Sequence, residues 1–297
     1  MIYGGGVNFN VTDQHGRTHT LFLNSTQAEL FNARMNRQFF KRTREENVLA
    51  LIDEAPNYKA LEEVAEKYGF ADYCDFSDIN LYGIKRLLKV VVGILYRYPR
   101  LRSRFCFLGS HNGYKKAIDL LLEGDTHVLQ RFNLSHIATP EIVRVLGGMA
   151  DDMIEGLVRS PESYVATAIT AFGFFDAMLF DSNDYEGYAY IKMAQDLRYS
   201  EEVGFHPKGC GETASVVYHE IGHMLDSLCA MNESAEFKSY FRRFDASAVR
   251  RELSEYATTS SKEFIAEAFS EYMCNPTPRP IARTIGEMID RQYAALR

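Results

Sequence analysis

The stretch "VVYHEIGHMLD", Val216 to Asp226, decides how the chain is read. His219 and His223 are four residues apart, and Glu220 directly follows the first. On an α-helix, positions i and i+4 lie on one face. Both imidazoles can then reach one metal ion, and Glu220 can reach a water on that ion. A helix is expected here because Ala214, Val216, Val217, Ile221, Leu225 and Leu228 supply a broad apolar surface, with Gly211 before the first turn. This is the H-E-x-x-H arrangement, in which two imidazoles bind Zn²⁺ and the glutamate is a general base. The competing reading is a core helix whose histidines bond to neighbouring carbonyls. A zinc site needs a third protein ligand, so the rest of the chain must arbitrate.

None of the eight histidines lies after His223, so a downstream third ligand must be Asp, Glu or Cys. The segment "SSKEFIAEAFSEYM", Ser260 to Met273, offers Glu263 and Glu267 at i and i+4. Phe264, Ile265, Ala268, Phe269 and Tyr272 occupy the other face, so the two carboxylates project together. One of them can bind the metal. The other can accept the N–H of a ligating histidine and so fix its tautomer. A plainer account makes Ser260-x-x-Glu263 a capping box and Glu267 with Glu271 a solvated face.

"HEIGHMLD" followed downstream by "YATTSSKEFIAEAFSEYM" resembles the catalytic domain of anthrax lethal factor and the related Pro-Pro endopeptidases. These are gluzincins, zinc metallopeptidases whose third ligand is a glutamate. The resemblance runs from about Val216 to Met273, and more loosely back to about Ile79. It implies a zincin-like catalytic domain with Zn²⁺ as cofactor and His219, His223 and Glu263 as metal ligands. It further implies Glu220 as general base and Glu267 as the carboxylate behind a ligating histidine. Tyr256, seven residues before Glu263, stands where the family places a tyrosine near the metal. The implied activity is hydrolysis of a peptide bond by a metal-activated water, with a protein or peptide as partner. The family's large docking domains have no room in this chain, and its secretion signal has no counterpart here, so substrate preference does not carry over.

The remaining features set bounds. With 297 residues, 46% hydrophobic and 25% charged, the chain can bury a substantial core. A net charge of −7 argues against a general nucleic-acid or anionic-membrane binder. The start, "MIYGGGVNFNVTDQHG", reads as no signal peptide, and Leu87 to Leu95 is too short to span a bilayer, so the default compartment is cytoplasmic. Five scattered cysteines without CxxC suit thiols rather than a disulfide framework. His206 and Cys210 are ligand-type residues in a Gly/Pro loop, where metal binding is not expected, and Asp226 is expected to bond locally.

The expected fold class is α+β and helix-rich: a zincin-like domain with a small mixed sheet, an H-E-x-x-H helix and a glutamate helix. After a β-type start at Val7 to Leu23, helices are expected to about Ala55, from Tyr58 to Tyr68, and from Asp78 to Tyr98. Ser103 to Ser110 reads as a buried strand and Gly113 to Gly124 as a helix. Further helices are expected from Thr139 and from Ser160 to about Phe180. "YAYIKMA", Tyr188 to Ala194, alternates as an edge strand does, and a peptide substrate would add to it. In domain terms, residues 1–75 form a mainly helical region and residues 76–297 the catalytic domain, with a helical insertion over about 124–183. The rival to an enzyme is a catalytically silent structural or phage-associated binding protein of the same fold. A third reading is hydrolysis of another amide, such as a cell-wall peptide.

Overall fold

The structure is a computed structural model that describes residues 7–12, 18–23, 45–123, 125, 127–128, 166–171, 175–181 and 189–296. The chain divides into two compact units, Met1–Ala50 and Leu51–Arg297. In the first, β1 (Val7–Thr12) and β2 (Thr18–Leu23) pair antiparallel, with Val7 opposite Leu23 and Thr12 opposite Thr18. Of the helix expected to reach Ala55, residues 45–54 are helical and the rest lies outside the described residues.

In the second unit, α1 (Tyr58–Lys67) starts where the Asn57 side chain accepts from the Ala60 amide. It ends before Gly69, whose φ of 69° turns the chain. Strand β3 (Tyr73–Asp75) follows, then α2 (Leu81–Arg97), capped by Asn80. Strand β4 (Phe105–Ser110) is buried throughout, as its unbroken apolar run predicts, and Ser110 caps α3 (His111–Leu122). Residue 75, after which the sequence suggested a new domain, ends β3, and β3 is hydrogen-bonded to β4.

Two expectations are corrected downstream. The helix expected to reach Phe180 is, from residue 166 onward, two strands: β5 (Ala166–Ala171) and β6 (Phe175–Phe180). Each stretch, ATAITA and FDAMLF, is only six residues long, too short for periodicity alone to separate strand from helix. Residues 166–171 and 175–180 thus belong to the sheet and not to a helical insertion. The helix expected from Thr139 lies outside the described residues. "YAYIKMA" is no strand either, because it opens α4 (Ala189–Glu202). Its alternation covers only a few residues. Over the longer window, Tyr190, Met193 and Leu197 recur at helical spacing and are the positions buried.

The resulting sheet has the order β3-β4-β6-β5, with β3, β4 and β6 parallel and β5 antiparallel at the edge. The remaining elements are helical: α5 (Ala214–Cys229), α6 (Ala235–Phe241), α7 (Ala246–Glu252), α8 (Ser261–Cys274) and α9 (Pro280–Ala295). The fold is α+β and helix-rich. Helix α5 is central, packed against α2, α8, α9 and β5. No described helix is long and apolar enough to cross a membrane.

Candidate metal centre

The site is made where α5 meets α8. These helices approach so closely at Gly222 that a Cβ there would stand 2.8 Å from the Ala266 Cα. Glycine therefore permits the approach. It places Glu263, one turn before Glu267, over the histidine face of α5. Ser260 starts α8 by accepting from the Glu263 amide, at 3.1 Å, which is half of the expected capping box. The other half is absent because the Glu263 carboxylate turns to the histidines instead.

Glu263 Oε2 lies 3.0 Å from His219 Nε2 and 3.3 Å from His223 Nε2, and the two nitrogens are 3.2 Å apart. Among the described residues this is the one group of three His, Cys, Asp or Glu side chains whose ligand atoms converge. Glu263 Oε2 is buried and, among the described residues, has no hydrogen-bond partner. A buried carboxylate oxygen left so is costly unless a cation faces it. Tetrahedral zinc with bonds of 2.0–2.1 Å keeps its donors about 3.3 Å apart. The three atoms stand at that spacing, so the donor set fits such an ion.

Glu267 works from behind. It is 1% exposed, and its Oε1 takes a hydrogen bond from His219 Nδ1 at 2.8 Å. That bond places a ring proton on Nδ1, so Nε2, which faces Glu263 and His223, is the nitrogen that would bind a cation held there. Ser254 Oγ donates to Glu267 Oε2 at 2.8 Å. His206 Nδ1 lies 3.3 Å from both oxygens. Burial would raise the Glu267 pKa, but the bonds from His206 and His219 hold it down to about 2. Burial acts likewise on Glu263, and the two imidazoles hold it well below the usual carboxylate range. Glu220 behaves oppositely. It is buried, and desolvation raises its pKa against the opposing pull of His219 and His223. Its carboxylate accepts from the Ala168 amide, on the edge strand β5.

Tyr256 opens a short 3-10 turn just before α8, and its ring centroid lies 5.8 Å from that of His219. Two backbone bonds hold it there, from Glu255 N to Gly204 O at 2.9 Å and from Tyr256 N to Phe205 O at 3.0 Å. They join the loop before α5 to the turn before α8. A cavity of about 740 Å³ opens over the group, with Glu220, Tyr256, His206, Ala168 and Lys262 in its wall.

The structure therefore gathers His219, Glu220, His223, Tyr256, Glu263 and Glu267 in one place. Glu267 and Glu271 form no solvated face: Glu271 is fully buried, paired with Arg279, which also donates to the Leu253 carbonyl. Cys210 does not join the group and instead meets Ser270. Asp226 bonds locally, to the Asn232 amide at 2.6 Å. Sequence reasoning missed His206 as a partner of Glu267, and also Ser254, Ala168 and the Glu271–Arg279 pair. No spacing rule connects these residues to the motif. Comparison of the chain with protein-family models, curated proteins and solved structures returns no match.

Proposed function

We propose that this chain is a zinc-dependent endopeptidase of the gluzincin type. The observation that carries the reading is the triangle of His219 Nε2, His223 Nε2 and Glu263 Oε2, with a buried carboxylate oxygen that lacks a hydrogen-bond donor. These three residues would hold the ion. Bound zinc would supply a Lewis acid that polarises a carbonyl and brings the pKa of water toward neutrality.

The chain's own residues complete the chemistry. Glu220 is placed beside the triangle, with a pKa raised by burial, which suits a group that takes a proton and later returns it to the leaving nitrogen. Tyr256 would donate to the carbonyl oxygen as charge develops on it. Glu267 keeps His219 in the tautomer with Nε2 free. The antiparallel edge strand β5 beside the H-E-x-x-H helix supports the same reading, because its outer edge offers an extended peptide main-chain partners.

Zinc per purified chain, wild type beside His219→Ala, tests the metal. About one per wild-type chain and near none in the variant is expected; no zinc in a folded wild type supplied with it would end the proposal. Hydrolysis of labelled casein tests the reaction. Glu220→Gln should keep its zinc and lose about 10²–10⁴ in rate. Zinc without hydrolysis of casein or of a peptide library would make the metal structural instead.

A further inference from the structure

The proposed chemistry leaves His206 without a task, although it stands in the wall of the cavity. Each Glu267 oxygen already has a short donor, His219 Nδ1 on one and Ser254 Oγ on the other, both at 2.8 Å. His206 Nδ1 adds only a long approach of 3.3 Å, shared between the two oxygens. Hydrogen bonds of this kind are strongest at about 2.7–2.9 Å. Each Glu267 oxygen thus has a short donor besides His206, and the His206 contact, which helps to keep the carboxylate ionised, also orients the imidazole.

The orientation is specific. With Nδ1 turned to Glu267, Nε2 points away from that carboxylate. The ring centroid is 5.7 Å from that of Tyr256, nearly perpendicular to it, and Tyr256 in turn is 5.8 Å from His219. The backbone bonds from 255–256 to 204–205 fix both residues on the same wall. Gly204 and Gly209, at φ of 79° and 83°, let the loop fold back to this position. His206 keeps 24% of its side chain exposed, so a ligand in the cavity can reach it.

We infer that His206 is a further catalytic residue: through Nε2 it hydrogen-bonds the carbonyl oxygen of the substrate amide, beside Tyr256. This rests on the endopeptidase reading above and adds a second donor to the oxygen on which charge develops. Glu267 then has two roles, setting the tautomer of His219 and holding His206 toward substrate.

Three variants separate substrate contact from mere support of Glu267. His206→Gln can place an amide near the Nε2 position. His206→Asn can replace only the Nδ1 contact with Glu267. His206→Ala does neither. The probe is acetohydroxamic acid, a small carbonyl-bearing zinc chelator, titrated into zinc-loaded protein by calorimetry. Zinc content is measured on every sample. All four proteins should carry equal zinc. His206→Asn and His206→Ala should bind the probe about tenfold more weakly, and His206→Gln within about threefold of wild type. Wild-type affinity in His206→Asn, or in all three variants, would overturn the inference, as would a zinc-loaded wild type that does not bind the probe. Absence of zinc from the wild type would instead fail the metal reading itself.

Discussion

His219 Nδ1 and Glu267 Oε1 are 2.8 Å apart, across the interface between α5 and α8. The bond decides which imidazole nitrogen is left to face Glu263. Carboxylates behind ligating histidines typically contribute 10–100-fold in metal affinity. Glu267→Ala should therefore lower zinc affinity by that factor, measured by competition with a chelator. An unchanged affinity would show that His219 needs no such orientation.

Gly222 sets the distance between the same two helices. Alanine is the better helix former by up to about 1 kcal/mol, which taken alone would make Gly222→Ala stabilising. The added Cβ would meet the Ala266 backbone at 2.8 Å, and backbone cannot rotate away. Overpacking of this kind costs about 1–3 kcal/mol. Net destabilisation and weaker zinc binding are expected, read from denaturant unfolding and from chelator competition. A more stable variant with full zinc affinity would mean that the helices part without consequence.

Glu271 is fully buried at the end of α8 and pairs with the part-exposed Arg279, which is also bonded to the Leu253 carbonyl next to Ser254. Removing the arginine leaves the Glu271 charge desolvated and unpaired, which for a fully buried pair costs about 3–5 kcal/mol and here, with Arg279 part-exposed, about the lower end of that range. Arg279→Ala should lose about 3 kcal/mol on urea unfolding. Replacing both residues, as Glu271→Gln with Arg279→Met, should cost less than the single change. The reverse order would show that the pair is no buried ion pair in solution.

His111, the first residue of α3, is 3% exposed, and neither ring nitrogen has a hydrogen-bond partner among the described residues. Burial lowers its pKa from 6.5 to about 4, against an opposing pull from Asp181. Between those values the unfolded chain binds a proton that the folded chain refuses, so stability falls as pH falls. The loss approaches about 3 kcal/mol by pH 4. His111→Phe removes the titration. Its stability relative to wild type should rise by that order between pH 7 and pH 4, and a constant difference would contradict the assignment.

Much of the site was legible because it is local. The i, i+4 pairs of α5 and α8 announce their faces directly, and the resemblance to gluzincins named Glu263 over Glu267 and added Tyr256. The edge strand was misplaced for a physical reason. Tyr188 to Ala194 carries a brief alternation that the longer helical pattern of α4 overrides, while Ala166–Ala171, with Thr167 and Thr170 among small apolar residues, shows no decisive period. His206 and Ser254 were out of reach because their partner, Glu267, lies on another element, and only packing brings them to it. Glu271 looked solvated because a lone glutamate on a helix gives no sign that an arginine at the end of the next loop will return to it.

The joining of residues 204–205 to 255–256 by two backbone bonds bears on how the molecule assembles. Every side chain of the candidate centre lies between His206 and Glu267, and the sheet lends only the Ala168 amide. The bonds that join His219 and His206 to Glu267 span 48 and 61 residues of chain, so the centre closes long loops and is non-local in sequence. One continuous stretch of chain thus carries every side chain of the centre, and that stretch must fold back on itself to assemble it.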